Sequence, residues 1–144
     1  MPVQQGESRS AGRRLHILVV EDHTDTGRTL ARLLTREGHD VCIAADAETA
    51  LKVYDNERFD LVISDIGLPD KSGLELMRDM QARRPVSAIA LSGFGMEDDI
   101  VRSRDAGFQT HLTKPVNVVS LMECIRRISV AEGAVEDFRA DPQN

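Results

Sequence analysis

The chain has 144 residues and a formal net charge of −6, a length that suits one domain whose core closes without disulfides or a structural metal. An acidic balance argues against nucleic-acid binding, which needs a concentrated basic face. Cys42 and Cys124, the two cysteines, lie in apolar settings and are expected to be small buried hydrophobes, not a disulfide or metal site.

Residues 1–14 are polar, rich in Gln, Ser, Gly and Arg. They lack the apolar stretch of a signal peptide and are expected to be a disordered tail. Leu15 to Val20 is a branched apolar run, so a buried strand is expected. A helix should follow from Thr24 to Glu37, with Leu30, Leu33 and Leu34 on one face and Gly38 as its stop. Val41 to Ala44 suits a second strand. Asp46 is placed to cap a helix carrying Ala47, Ala50, Leu51 and Tyr54. A third strand runs Leu61 to Ser64 and ends at Asp65.

The turn-rich segment Ile66 to Gly73 leads into a helix through Leu74, Met77 and Met80. Val86 to Leu91 is the fourth strand, Met96 to Ala106 a helix, and Phe108 to Leu112 the fifth strand. A last helix, Asn117 to Ala131, should turn Val118, Leu121, Met122, Ile125 and Ile128 inward. Residues 132–144 are polar and are expected to fray. No run nears the roughly 18 apolar residues of a membrane span, so no membrane contact is expected and a cytoplasmic protein is the default. Strands alternating with helices predict a doubly wound parallel α/β sheet in a single domain over residues 15–131.

Chemistry-bearing residues recur at the ends of these strands. Glu21-Asp22 follow the first, Asp65 the third, Ser92 the fourth, and Lys114-Pro115 the fifth. In an open α/β sheet, ligands bind at that edge. Carboxylates, a hydroxyl and a lysine converging there suit a divalent cation and a phosphoryl group. Taken singly, each residue has a plainer reading: Asp65 as a turn cap, Glu21-Asp22 as a solvated acidic loop, Ser92 as a turn serine before Gly93, and Lys114 as a surface lysine. Their joint order disfavours those readings. His16, His23 and His39 show no metal-ligand spacing along the chain.

Together with Asp65-Ile66-Gly67-Leu68-Pro69 and Gly73, these residues resemble the receiver domain of two-component response regulators, over about Leu15 to Ala131. The stretches Ser92 to Met96 and Ala106 to Pro115 look most like the C-terminal receivers of hybrid histidine kinases. The resemblance implies a flavodoxin-like fold with five parallel strands in the order 2-1-3-4-5, whose switch point lies between strands one and three. It implies Asp65 as phosphoacceptor, and Mg2+ bound by Asp22, Asp65 and the Gly67 carbonyl, with Glu21 acting through water. Lys114 would pair with Asp65 and then its phosphate, with a cis bond to Pro115. Ser92 would reach a phosphate oxygen. Gly67 and Phe94 would flank the path of the hydrolytic water. His111 stands where receivers usually carry Tyr or Phe as a switch residue; a half-exposed strand-edge histidine is the equal alternative.

The expected function is phosphoryl acceptance from a histidine kinase or phosphotransfer protein. Output would pass to a protein partner through the fourth helix, fifth strand and fifth helix. At this length the chain is expected to be a single-domain regulator or a receiver from a hybrid kinase. A haloacid-dehalogenase-like phosphatase would need a second acid where Gly67 stands. A flavin or nucleotide domain would need a glycine-rich loop after the first strand, where Glu21-Asp22 stand instead. The fourth reading, a degenerate receiver that takes no phosphate, conflicts with the intact Asp22, Asp65, Ser92 and Lys114.

Overall fold

The computed structural model describes residues 14–93 and 99–133. The expected tails lie outside them except for Arg14, Glu132 and Gly133, and so does Phe94. In chain order the elements are β1 (His16–Val20), α1 (Thr24–Arg36), β2 (Asp40–Ala44), α2 (Ala47–Asn56), β3 (Leu61–Asp65), α3 (Gly73–Arg83), β4 (Ser87–Ser92), α4 (Asp99–Ala106), β5 (Thr110–Thr113) and α5 (Val118–Gly133). The strands form one parallel sheet in the order β2-β1-β3-β4-β5, the expected flavodoxin-like arrangement. Residues 15–116 form one compact unit, and α5 belongs to a second.

Alternation along the strands splits the sheet's side chains between two faces. Leu18, Val20, Val62, Ala88 and Ala90 join Ala47, Ala50 and Tyr54 of α2 and Leu74, Leu76, Met77 and Met80 of α3 in one buried cluster. Ile17, Val19, Ile63, Ile89 and Leu91, also buried, alternate with them, and α1 packs on β1 and β2 through an apolar stripe that buries Leu30 and Leu34. β2 is an edge strand, which leaves Ile43 exposed. Cys42 and Cys124 are free thiols and only half-buried, which corrects the expectation of full burial.

Two element boundaries differ from expectation for a visible reason. β5 begins at Thr110, not Phe108, because Gly107 (φ +118°) closes α4. The Phe108 N–H bonds the Ser103 carbonyl at 3.0 Å and the Gly107 N–H bonds Arg104 at 3.1 Å, the paired bonds of a glycine-terminated helix. A Cβ at Gly107 would also meet Gln81 Cγ at 2.8 Å. β4 begins at Ser87 because the Val86 N–H is taken by Gln81 Oε1 at 3.1 Å. In α5, Asn117 Oδ1 caps the Ser120 N–H at 3.0 Å, and the helix continues to Gly133. Leu121 and Ile125 are buried, but Val118 is 44% exposed, so its expected inward placement is corrected: it sits in the first turn beside the cap.

Candidate functional site

The sheet delivers four of the site residues directly. Asp65 is the last residue of β3, and the Ile66 N–H bonds Leu91 O at 2.9 Å just beyond it. Glu21 follows β1, with its N–H bonded to Ala44 O of β2 at 3.0 Å. Ser92 ends β4, and its carbonyl accepts from the Lys114 N–H at 2.7 Å. Lys114 follows β5 and is joined to Pro115 by a cis bond, as the resemblance implied.

Lys114 Nζ sits 2.9 Å from Asp65 Oδ2 and 2.9 Å from Glu21 Oε1. The Glu21 side chain is fully buried and that of Asp65 is 8% exposed. One ammonium therefore partners two carboxylates taken out of water. Burial pushes the Asp65 carboxyl above its usual range, and the Lys114 bond offsets this only in part while Glu21 repels. Burial acts the same way on Glu21, but hydrogen bonds from Lys114 and His23 outweigh it and hold that carboxyl below its usual range. Burial alone would lower Lys114; its bonds to Asp65 and Glu21 outweigh burial and raise it.

The residues fit a divalent cation. Asp22 Oδ1 is shielded from solvent and has no hydrogen-bond partner, a costly state for a carboxylate oxygen unless a cation serves it, whereas Glu21 Oε1 has the Lys114 ammonium. Ligand atoms of Glu21, Asp22, His23 and Asp65 all lie within 4.8 Å of one another. The Gly67 N–H bonds Asp65 Oδ1 at 3.2 Å. A Cβ at Gly67 would meet nothing within 4 Å, so the turn beside the acid is open to an incoming group. Gly73 has the opposite setting: a Cβ there would lie 2.3 Å from the Asp65 carbonyl oxygen and 2.9 Å from Ile66 Cα. α3 thus starts against the backbone of the central acid.

Ser92 and His111 are brought together, with Oγ 2.9 Å from Nε2. Two features of this region were not foreseen from the sequence. His23 joins the acid cluster, its Nδ1 being 3.1 Å from Glu21 Oε2; the signal was its place directly after Glu21-Asp22. Asp70 reaches from the turn after β3 to the start of α2, accepting the Ala47 N–H at 2.9 Å and the Glu48 N–H at 3.0 Å. Those two bonds, the Ala47 one foremost, hold its carboxyl below the usual range. No sequence spacing signals this second cap beside Asp46, which bonds the Thr49 N–H at 2.8 Å.

Comparison with known proteins agrees with this geometry. The family model of the response regulator receiver domain matches residues 17–126. An uncharacterised 14.6 kDa protein from the sodA1 3′ region of Leptolyngbya boryana is 33% identical over 121 residues, covering 82% of this chain and 92% of that protein. The transcriptional regulatory protein TcrA of Mycobacterium tuberculosis is 34% identical over 132 residues, 90% of this chain, which spans 52% of TcrA's length. Among solved structures, a CheY-like receiver domain protein from Methanospirillum hungatei is 34% identical with a TM-score of 0.79, covering 86% of this chain and 99% of that one. No helix among the described residues is long and apolar enough to cross a membrane. With the fold, the acid cluster and its lysine in the order that the family model matches, the chain belongs to the response regulator receiver domains, the signalling modules of phosphorylation-dependent two-component systems.

Proposed function

We propose that this domain accepts a phosphoryl group on Asp65 from a phosphohistidine of a kinase or phosphotransfer protein. The observation that carries the reading is the Lys114 ammonium shared at 2.9 Å between Asp65 and Glu21, beside a shielded Asp22 Oδ1 without a hydrogen-bond partner. An Asp65 carboxylate oxygen attacks phosphorus as the P–N bond breaks, giving an acyl phosphate; the bond's electron pair stays on the imidazole, which leaves neutral because its other ring nitrogen carries a proton. Asp22, Asp65 and the Gly67 carbonyl would hold Mg2+, with Glu21 acting through water. When bound, the ion offsets charge on the transferring oxygens. Lys114 moves its pairing from carboxylate to phosphate, and Ser92 donates its hydroxyl to a phosphate oxygen. The domain assists its own modification and is not a turnover enzyme.

A conformational response would then reach a protein partner. Exposed apolar Ile100 and Val101 on α4 support that surface. The test is incubation with acetyl phosphate and Mg2+, read by intact mass. One added phosphoryl group is expected, absent in Asp65→Asn and reduced in Asp22→Ala. An adduct of equal yield in Asp65→Asn would remove Asp65 as acceptor.

A further inference from the structure

The position before the first turn of α1 is one where Ser, Thr, Asp or Asn would normally cap the helix. Here it is His23, whose side chain makes no capping bond. The imidazole turns instead toward the acid pair. Its Nδ1 lies 3.1 Å from Glu21 Oε2 and 3.6 Å from Asp22 Oδ1, and Asp22 Oδ1 is shielded from solvent with no hydrogen bond.

These separations have a chemical meaning. With metal–ligand bonds of about 2.1 Å, neighbouring ligand atoms are about 3.0 Å apart in an octahedral site and about 3.4 Å apart in a tetrahedral one. The 3.6 Å separation from Asp22 Oδ1 lies close to the longer of these edges, while the 3.1 Å separation from Glu21 Oε2 is a hydrogen bond. Asp65 also offers a carboxylate oxygen within the same cluster.

Resting on the metal reading above, we propose that His23 Nδ1 is an additional ligand in this site and that it makes the site prefer an imidazole-seeking transition metal, such as Co2+, Ni2+ or Zn2+, over Mg2+. Mg2+ takes hard oxygen donors and keeps its waters, so it gains little from a nitrogen. Borderline metals bind imidazole well and follow a steep affinity order at mixed N/O sites. In this structure Nδ1 donates to Glu21 Oε2; the ring is 71% exposed, so on metal binding that bond breaks and the proton moves through water to Nε2, leaving the Nδ1 lone pair for the metal. The His23 backbone N–H still donates to Glu21 Oε2 at 3.1 Å, which keeps that carboxylate in place whichever metal is bound.

The test is calorimetric titration of Co2+ and, separately, Mg2+ into wild type, His23→Ala and Asp22→Ala. The Cu2+ electron paramagnetic resonance spectrum of the same proteins supplies a readout independent of phosphorylation. In wild type, Co2+ should bind more tightly than Mg2+. In His23→Ala, Co2+ affinity should fall at least about tenfold, the scale on which a metal site responds to loss of a supporting group. Mg2+ affinity should change less than about twofold. One nitrogen coupling in the Cu2+ spectrum should also disappear. Asp22→Ala should lose both metals. His16, His39 and His111 remain in every variant, so the difference isolates His23. Unchanged Co2+ affinity and an unchanged Cu2+ spectrum in His23→Ala, with both metals lost in Asp22→Ala, would overturn the role of His23 and leave the oxygen site standing. Binding of neither metal to wild type would overturn both.

Discussion

Ser92 Oγ lies 2.9 Å from His111 Nε2, so the hydroxyl proposed to reach a phosphate oxygen is already held by the residue proposed as a switch. If the imidazole nitrogen accepts that proton, Ser92 must give up the bond before it can donate to phosphate. A neutral hydrogen bond contributes about 1 kcal/mol, roughly fivefold in an equilibrium constant. His111→Phe should therefore tighten binding of beryllium fluoride, a phosphate mimic, by about that factor. Amide chemical shifts of α4 and β5 followed through a titration would measure it. Equal affinity in the two proteins would make His111 a strand-edge residue without influence on Ser92.

Burial works against the ionised form of Asp65 in the fold. Its carboxyl is pushed up by burial, with Lys114 offsetting only part. A group whose folded pKa is raised binds protons more readily in the folded than in the unfolded chain, so stability falls as pH rises through that pKa. Asp65→Asn removes the charge and keeps the shape. It should stabilise the domain at pH 7 by about 1 kcal/mol, the usual size of gain when a functional strain is removed. The gain should fade as pH falls through the folded pKa of Asp65 toward the ordinary carboxylate value of 3.8. Thermal melts at several pH values would show it. A variant less stable than wild type at pH 7 would mean that the Lys114 bond outweighs the burial.

The fold was legible because each strand carries its own signal. Leu15 to Val20 and Leu61 to Ser64 are apolar runs that only a doubly covered sheet can bury, and Glu21 and Asp65 mark their ends. What was not legible depends on groups that meet across the sheet or around a turn. The start of β5 was misplaced by two residues because the Phe108 N–H closes α4, which an apolar run does not reveal. The half-burial of Cys42 follows from β2 being an edge strand. His23 shows no metal-ligand spacing along the chain, yet its partners are the carboxylates immediately before it. The reach of Asp70 to α2 spans 23 residues in sequence and leaves no periodic trace.

That reach joins the loop after Asp65 to α2. Asp70 is solvent-exposed, yet its two backbone bonds hold the carboxyl below its usual range. For a lowered pKa, the stabilisation is complete above the unfolded value of 3.8 and is lost as pH falls through the folded one. Asp70→Ala should lower the melting temperature at pH 7, and the gap to wild type should close as the pH is taken below that range. Hydrogen exchange at Ala47 and Glu48 should quicken in the variant. Melting curves that coincide at neutral pH would show that Asp46 alone suffices to cap α2.

Gly73 begins α3 and faces the backbone of Asp65. In an exposed helix, Gly to Ala would gain about 1 kcal/mol from helix propensity. At Gly73 the added Cβ would sit 2.3 Å from the Asp65 carbonyl oxygen and 2.9 Å from Ile66 Cα, both backbone atoms that cannot turn aside. The Gly73 N–H also bonds Ile66 O at 2.8 Å, so the helix start is pinned to the turn it would have to leave. Either α3 slides or the end of β3 shifts, and overpacking of this kind costs about 2–3 kcal/mol. Gly73→Ala should therefore lower stability by that amount in urea melts. It should also slow phosphorylation by acetyl phosphate, because the Asp65 carboxylate moves relative to Lys114 Nζ. Leu74→Ala would remove neighbouring apolar packing without touching the Asp65 backbone, so it should cost stability with a smaller loss of rate. A Gly73→Ala protein as stable and as readily phosphorylated as wild type would show that α3 does not set the position of Asp65.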